Sequence, residues 1–246
     1  MVSKNQKKLI RSLKQKKFRK QNGLFVAEGI KVINEFLNTD FKLQNLFVLN
    51  AEMQLFNHVD KEKLISVTSA ELDQISFLTT PQKALAVFKI PQLDFTNVEK
   101  GLQVVLDDIK DPGNLGTIIR LCDWFGVEKL ICSTETVDCY NPKVVQATMG
   151  SLTRVNIIYT EIKEYIQNTK LPVFGAFMEG KTVYQFNLPK HALLVMGNEA
   201  NGINAEIETL ITEKISVPRF GQLQETESLN VATATAILLS EFRRNV

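Results

Sequence analysis

Five residues of this chain, spread over three segments, carry side chains that could act together on one substrate. Asn114 and Arg120 lie in Asn114-Leu115-Gly116-Thr117-Ile118-Ile119-Arg120, Glu199 in Gly197-Asn198-Glu199-Ala200-Asn201-Gly202, and Ser228 and Asn230 in Ser228-Leu229-Asn230-Val231. Two carboxamides and a hydroxyl can orient a polar ligand, a carboxylate can accept hydrogen bonds, and a guanidinium can hold an anion. Each segment follows an apolar run: Val104-Val105-Leu106, Leu193-Leu194-Val195-Met196 and Ile215-Ser216-Val217. In open α/β sheets, ligands bind in the crevice outside the carboxyl ends of the strands. Three such loops imply one composite site. None of them spells a metal-ligand cluster, a catalytic triad or a G-x-G-x-x-G dinucleotide turn.

The residue types alone also admit plainer roles. Ser228 could cap the last helix and Asn114 could suit a turn, while Arg120 could be a surface cation and Glu199 a solvated loop carboxylate. Asn114 and Arg120 are six positions apart, about 600° of rotation on a helix. They address one cleft only if Asn114 precedes the helix proper, as Pro112-Gly113 suggests. The two histidines, His58 and His191, leave few imidazoles for proton transfer, and both read as surface residues. Cys122, Cys132 and Cys139 lack the paired spacing of structural zinc sites and read as buried or free thiols, so no metal is expected. Gly175-Ala176-Phe177-Met178-Glu179-Gly180-Lys181-Thr182 fits the phosphate-loop pattern letter for letter. Such a loop must open a helix. Here the residues extend an apolar strand, and Val183 to Leu188 is β-like and closed by Pro189, so nucleotide hydrolysis is set aside.

The elements that must position these residues follow from periodicity. Residues 4–20 predict one helix with a narrow apolar stripe (Leu9, Ile10, Leu13), ended at Asn22-Gly23. Short strand-like and helical stretches then alternate to Ala84–Phe88, giving a small α/β domain over 1–92. Ile90 to Gly101 has the composition of a linker, placed at 93–101. From 102 to 246, apolar strands alternate with helices, the pattern of a parallel sheet covered on both faces. Strands are expected at 102–106, 128–132, 155–158, 172–177, 192–196 and 214–217. Helices are expected at 115–125, 142–150, 161–168, 203–211 and 229–243.

With 246 residues and 44% apolar content, the chain can bury a core. It has no run of about 18 apolar residues, so no membrane span is expected and the cytoplasm is the default address. The net charge of +2 hides an asymmetry. The first twenty residues hold nine of the 29 Lys and Arg and no acid, which leaves 20 basic against 27 acidic residues, −7, in the rest. A basic arm on an acidic body is the pattern of a polyanion contact, with Lys7, Lys8, Arg11, Lys14, Lys16, Lys17, Arg19 and Lys20 as candidate RNA-binding residues; a solvated helix face fits the charge alone equally well.

The motifs Asn114-x-Gly116-x3-Arg120, Gly197-Asn198-Glu199-x2-Gly202 and Val217-Pro218 followed by Ser228-Leu229-Asn230-Val231 resemble, in order and spacing, those of the SpoU (TrmH-like) RNA ribose 2′-O-methyltransferases. Asn141 to Ser151 resembles the segment between the first two motifs. The basic start, Phe25-Val26-Ala27-Glu28-Gly29 and Thr80-Pro81-Gln82 are similar to the ribosomal-protein-like RNA-binding domain that many members carry. The motif-three asparagine is followed by Ala232-Thr233-Ala234-Thr235 instead of serine-valine-alanine, which keeps the side chains small. The resemblance implies a SPOUT-type α/β fold with a C-terminal trefoil knot and a homodimer in which Arg120 enters the partner's site. It implies S-adenosylmethionine as cofactor, held by Met196, Gly197, Asn198, Gly202, Val217, Pro218 and Leu229. It implies structured RNA, ribosomal or transfer, as substrate. Asn114, Ser228 and Asn230 would orient the ribose and Glu199 would organise the loop or a partner arginine. Arg120 would polarise the hydroxyl or orient phosphate, a safer role than base for a guanidinium, which loses its proton only above pH ~12. A non-catalytic RNA- or ribosome-binding protein with the same fold is the competing reading.

Overall fold

The computed structural model describes residues 1–91, 100–223 and 228–244. Of the expected linker, only Lys100 and Gly101 fall within them. The chain divides into two compact units, Met1–Asp94 with Asp138–Thr153, and Phe95–Val137 with Arg154–Val246.

In the first unit, β1 (Leu24–Glu28), β2 (Leu43–Leu49), β3 (Leu64–Val67) and β4 (Ala84–Lys89) form a sheet in the order β1-β4-β2-β3. Its β2–β3 pair is parallel and its other pairs antiparallel. The basic start is two helices, α1 (Lys4–Ser12) and α2 (Lys16–Asn22), where periodicity predicted one. The break has a physical cause. The Arg19 guanidinium turns back and donates to the carbonyls of Leu13 and Lys14 at 2.8 and 2.9 Å, groups a continuous helix would have paired internally. The stripe residues Ile10 and Leu13 bury themselves against Val26, Phe47, Leu72 and Leu85. Helix α3 (Ile30–Leu37) covers β1 and β4 through Phe36, whose ring meets Phe25 edge-on at 5.3 Å. A short α4 (Ser69–Asp73) opens on a capping box, Thr68 with Glu71.

The first unit also takes in Asp138–Thr153, which the sequence assigned to the C-terminal part. Tyr140 places its ring 4.8 Å from Phe25, and α6 (Pro142–Thr148) packs on β1. Asp138 receives the Arg19 guanidinium at 2.6 Å. Arg19 is 2% exposed, so this candidate RNA contact is corrected: its charge is spent inside the fold.

The second unit holds β5 (Leu102–Leu106), β6 (Lys129–Cys132), β7 (Ile157–Tyr159), β8 (Val173–Thr182), β9 (Ala192–Met196) and β10 (Glu213–Ser216). Their order is β10-β8-β9-β5-β6-β7, parallel throughout. β5, β6 and β9 are buried at every residue, as a sheet covered on both faces requires. One face, with Val105, Ile131, Val173, Leu193 and Val195, packs on α7 (Ile162–Gln167) and α8 (Ala205–Glu208). Phe174 follows Val173 and so points to the other face, where it meets Phe242 of α9 (Val231–Arg243) at 5.3 Å. Helix α5 (Pro112–Trp124) packs beside α9. The phosphate-loop look-alike lies inside β8, as its apolar run predicted. Val183–Gln185, expected to be β-like, is a 3-10 turn.

Candidate active site

Three strand ends build the site. β5 and β9 are neighbours, with Leu106 opposite Met196, and β10 lies beyond β8 on the same side. Leaving β5, the chain turns through Asp107 and Asp108. The Asp107 amide donates to the Met196 carbonyl (2.9 Å) and its carboxylate accepts from the Asn204 amide (2.7 Å), which ties the two loops together. Burial pushes the Asp107 carboxyl above the usual carboxylate range, against the lowering effect of that hydrogen bond. Asp108 adopts φ 61°, a left-handed conformation that Asp tolerates better than most residues. Its carbonyl accepts from Asn198 Nδ2 at 2.6 Å, and its carboxylate pairs with Lys110 Nζ at 2.5 Å, which raises the lysine's pKa.

The loop after β9 is closed upon itself. Asn198 and Gly202 exchange amide–carbonyl bonds, both 2.9 Å, and Asn198 Oδ1 accepts from the amides of Ala200 and Asn201. Gly197 is required by close approach: a Cβ there would sit 2.2 Å from the Gly202 carbonyl carbon. The closed loop projects Glu199 outward, where it is exposed.

Helix α5 starts earlier than expected. Asp111 caps it, accepting from the Asn114 amide at 2.8 Å, and Pro112 takes the first helical position. Asn114 therefore sits in the first turn rather than ahead of the helix, so the condition for it to share a cleft with Arg120 is not met. Six helical residues separate them by about 9 Å along the axis and ~120° around it. Arg120 is exposed and has no hydrogen-bond or ion-pair partner among the described residues.

What the structure does bring together is Glu199, Asn114 and Asn230. Asn114 Nδ2 donates to Glu199 Oε1 at 2.9 Å, and Asn230 Nδ2 donates to Asn114 Oδ1 at 2.8 Å. The direction of this chain is set at one end. Asn230, not Ser228, caps α9: its Oδ1 accepts from the amides of Ala232 and Thr233. That use fixes its Nδ2 toward Asn114, which in turn fixes the Asn114 amide toward the carboxylate. At their far ends α5 and α9 are joined again, by Arg243 donating to the carbonyls of Phe125 and Gly126 at 2.7 and 2.6 Å. The two helices therefore run parallel with their N-termini side by side. The Glu199 charge sits at that paired positive end, where helix dipoles favour an anion.

The remaining candidates follow the carboxyl ends of the parallel strands or precede α9. Met196 ends β9, 2% exposed, while Val217 and Pro218 follow β10, half-buried. Leu229 is 46% exposed beside Asn230, and Ser228 is exposed. A glycine-bearing loop folded on its own backbone, with an exposed apolar side chain at Leu229, fits a nucleoside-bearing cofactor gripped by main chain, and this set of residues fits S-adenosylmethionine. His191 is placed elsewhere. Its Nδ1 accepts from the Gly101 amide at 2.8 Å, at the N-terminal edge of the sheet. Asp107, Asp108, Lys110 and Asn204 were not singled out in the sequence; the Asp-Asp pair directly after the β5 apolar run was the available signal.

Residues 101–240 match the SpoU rRNA Methylase family, and residues 4–86 match an MRM3-like substrate binding domain. The chain is similar to the 23S rRNA (guanosine(2553)-2′-O)-methyltransferase RlmP of Bacillus subtilis (strain 168), 30% identical over 98% of this chain and 97% of that protein. It is 34% identical to the 23S rRNA (guanosine-2′-O-)-methyltransferase RlmB of Neisseria meningitidis serogroup B, over 59% of each. The AdoMet-bound rRNA methyltransferase from Sinorhizobium meliloti superposes with TM-score 0.88 at 28% identity, over 100% of this chain and 97% of that one.

Proposed function

The chain belongs to the SpoU rRNA methylase family and is an S-adenosylmethionine-dependent RNA 2′-O-methyltransferase; from that premise we propose that its substrate is a structured ribosomal RNA and that Asn114, Glu199 and Asn230 form the wall that holds the target ribose. The observation that carries this is the hydrogen-bond chain from Glu199 through Asn114 to Asn230, which links all three motifs at two paired helix N-termini.

When bound, S-adenosylmethionine supplies an electrophilic methyl on a sulfonium. The protein's part is positioning: a ribose hydroxyl held in line with that methyl converts a bimolecular step into one within a complex. Met196, Gly197, Asn198, Gly202, Val217, Pro218 and Leu229 grip the cofactor, mostly through main chain. Asn114, Asn230 and Ser228 orient the sugar, and Glu199 locks the Asn114 amide. Arg120 acts across a homodimer, where its unpaired guanidinium orients the phosphate or polarises the hydroxyl of the partner's site. Its exposure, and its direction away from Asn114 on α5, support that assignment. The C-terminal part threads a trefoil knot; β10 joining β8 and α9 returning to α5 support this. Lys7, Lys8, Arg11, Lys14, Lys16, Lys17 and Lys20 contact RNA phosphates. The residue spans 1–92 and 102–246 act as RNA-binding and catalytic domains, and the protein works in the cytoplasm; among the described residues no helix is long and apolar enough to cross a membrane.

Titrating S-adenosylmethionine into the protein in a calorimeter separates this reading from a non-catalytic RNA-binding protein. Cofactor uptake is expected, and its absence would leave only the binding role.

A further inference from the structure

The first unit contains a cavity of about 270 Å³ that methyl transfer does not use. Its walls come from three separate stretches: Gly29 and Lys31 at the start of α3, Gln82 and Lys83 before β4, and Gln146 and Met149 from the end of α6. Gly29, Gln82, Gln146 and Met149 fall in three stretches whose sequence stood out beside the catalytic motifs, Lys31 and Lys83 lie next to two of them, and the fold gathers them in one place.

The cavity is held open by backbone. Gly29 has φ 90°, and the Gln82 side chain passes over it, with Cγ 3.7 Å from where a Cβ would lie. Met149 has φ 51°, a left-handed conformation unusual for so large a side chain. The next residue, Gly150, abuts Glu35, whose Cγ lies 2.4 Å from a Cβ position there, so the turn is fixed. The result is a thioether left 39% exposed at the cavity instead of buried.

The chemistry of the lining is specific. Lys31 is exposed and without a partner among the described residues, while Lys83 pairs with Glu52 at 2.6 Å. Glu28, which also lines the cavity, has its carboxylate oxygens engaged by the Ser76 hydroxyl at 2.5 Å and the Phe77 amide at 2.8 Å, so they are directed to protein donors. Two carboxamides can read the edge of a base, an apolar plate can stack under it, and an ammonium can hold a phosphate. The volume lies just below the ~300–1,000 Å³ of small-molecule sites, room for one nucleotide and not for a duplex. We propose that this cavity takes a single unstacked RNA nucleotide, its base against Met149 and between Gln82 and Gln146, its phosphate on Lys31. The assignment rests on the RNA reading above, and it makes the first unit a reader of a splayed-out base in a loop or bulge.

The test uses the full chain, an unmodified bacterial 23S RNA transcript, and the variants Met149→Gly and Lys31→Glu. Glycine at 149 suits the left-handed turn, so the first variant removes the plate without straining the fold. Ultraviolet cross-linking with peptide mapping is expected to mark the stretches holding Gln82, Gln146 or Met149, and each variant is expected to bind the transcript about tenfold more weakly. A map that leaves those stretches unmarked, or variants that both bind within a factor of about two of the parent, overturns the proposal. Methyl incorporation in the same samples reports separately on the enzymatic reading, which fails only if the parent protein incorporates none.

Discussion

At the residue scale, Asn230 carries two duties that a suitable substitution separates. Its Oδ1 caps α9 and its Nδ2 orients Asn114. Aspartate is as good a cap as asparagine but has no amide to donate. Asn230→Asp is therefore expected to keep its melting temperature within about 2 °C while methyl transfer falls at least tenfold, whereas Asn230→Ala loses transfer and also ~1 kcal/mol of stability. Equal loss of stability in both variants would reduce Asn230 to a cap. Arg120→Ala is expected to lower transfer by about 100-fold or more with cofactor affinity nearly unchanged, read by radiolabel transfer and calorimetry; full activity would remove Arg120 from the site. Asp107 gives a prediction in pH. Burial raises its folded-state pKa, so its favourable contribution is fully present below the unfolded value of about 3.9 and is lost as pH rises through the folded value. Asp107→Asn, which keeps an acceptor for the Asn204 amide, is expected to flatten the stability profile above about pH 4 in denaturant unfolding. A profile identical to that of the parent would contradict this. Motif order led to the expectation that these segments share one site, and Asn114, Glu199 and Asn230 do meet. That Asn230 rather than Ser228 is the cap was not, because serine and asparagine serve that position equally well and only the hydrogen bonds decide.

At the scale of elements, most strands and helices follow directly from apolar periodicity; β5 and β9 match their expected spans residue for residue. The departures share a cause. The α1–α2 break depends on Arg19, whose anchor Asp138 lies 119 residues away, and no local pattern encodes such a partner. Likewise, 142–150 reads as an ordinary helix of the C-terminal part, yet its place beside β1 is set by Tyr140 and α6 meeting Phe25 and its strand. Arg19 and its lysine neighbours therefore behave differently when changed. Arg19→Met leaves Asp138 without its ion-pair partner and is expected to cost about 3–5 kcal/mol in denaturant unfolding. Exposed Lys16 and Lys17 changed to Glu are expected to leave stability within ~0.5 kcal/mol. A mild Arg19 phenotype would mean the break in the helix has another origin. Removing residues 1–20 outright would strip Val2, Ile10, Leu13 and Arg19 from the core, so the lysine substitutions are the cleaner probe of RNA contact.

At the scale of the whole molecule, the charge asymmetry and the match of residues 4–86 to an MRM3-like substrate binding domain support the proposed division of labour, in which the basic first unit would engage RNA and the strand ends of the parallel sheet would hold cofactor and ribose. Each lysine that leaves an RNA phosphate lowers the slope of log affinity against log salt by about 0.7–0.9, so the Lys16 and Lys17 variant is expected to show a shallower slope than the parent in filter binding. An unchanged slope would make the arm a solvated face. The central claim is tested most directly by the chemical position of the transferred methyl. The protein is incubated with methyl-labelled S-adenosylmethionine and an unmodified 23S RNA transcript, the RNA is digested to nucleosides, and the labelled product is identified by mass spectrometry. A single 2′-O-methylated nucleoside is the predicted product; label on a base, or no label while the cofactor binds, would contradict the account.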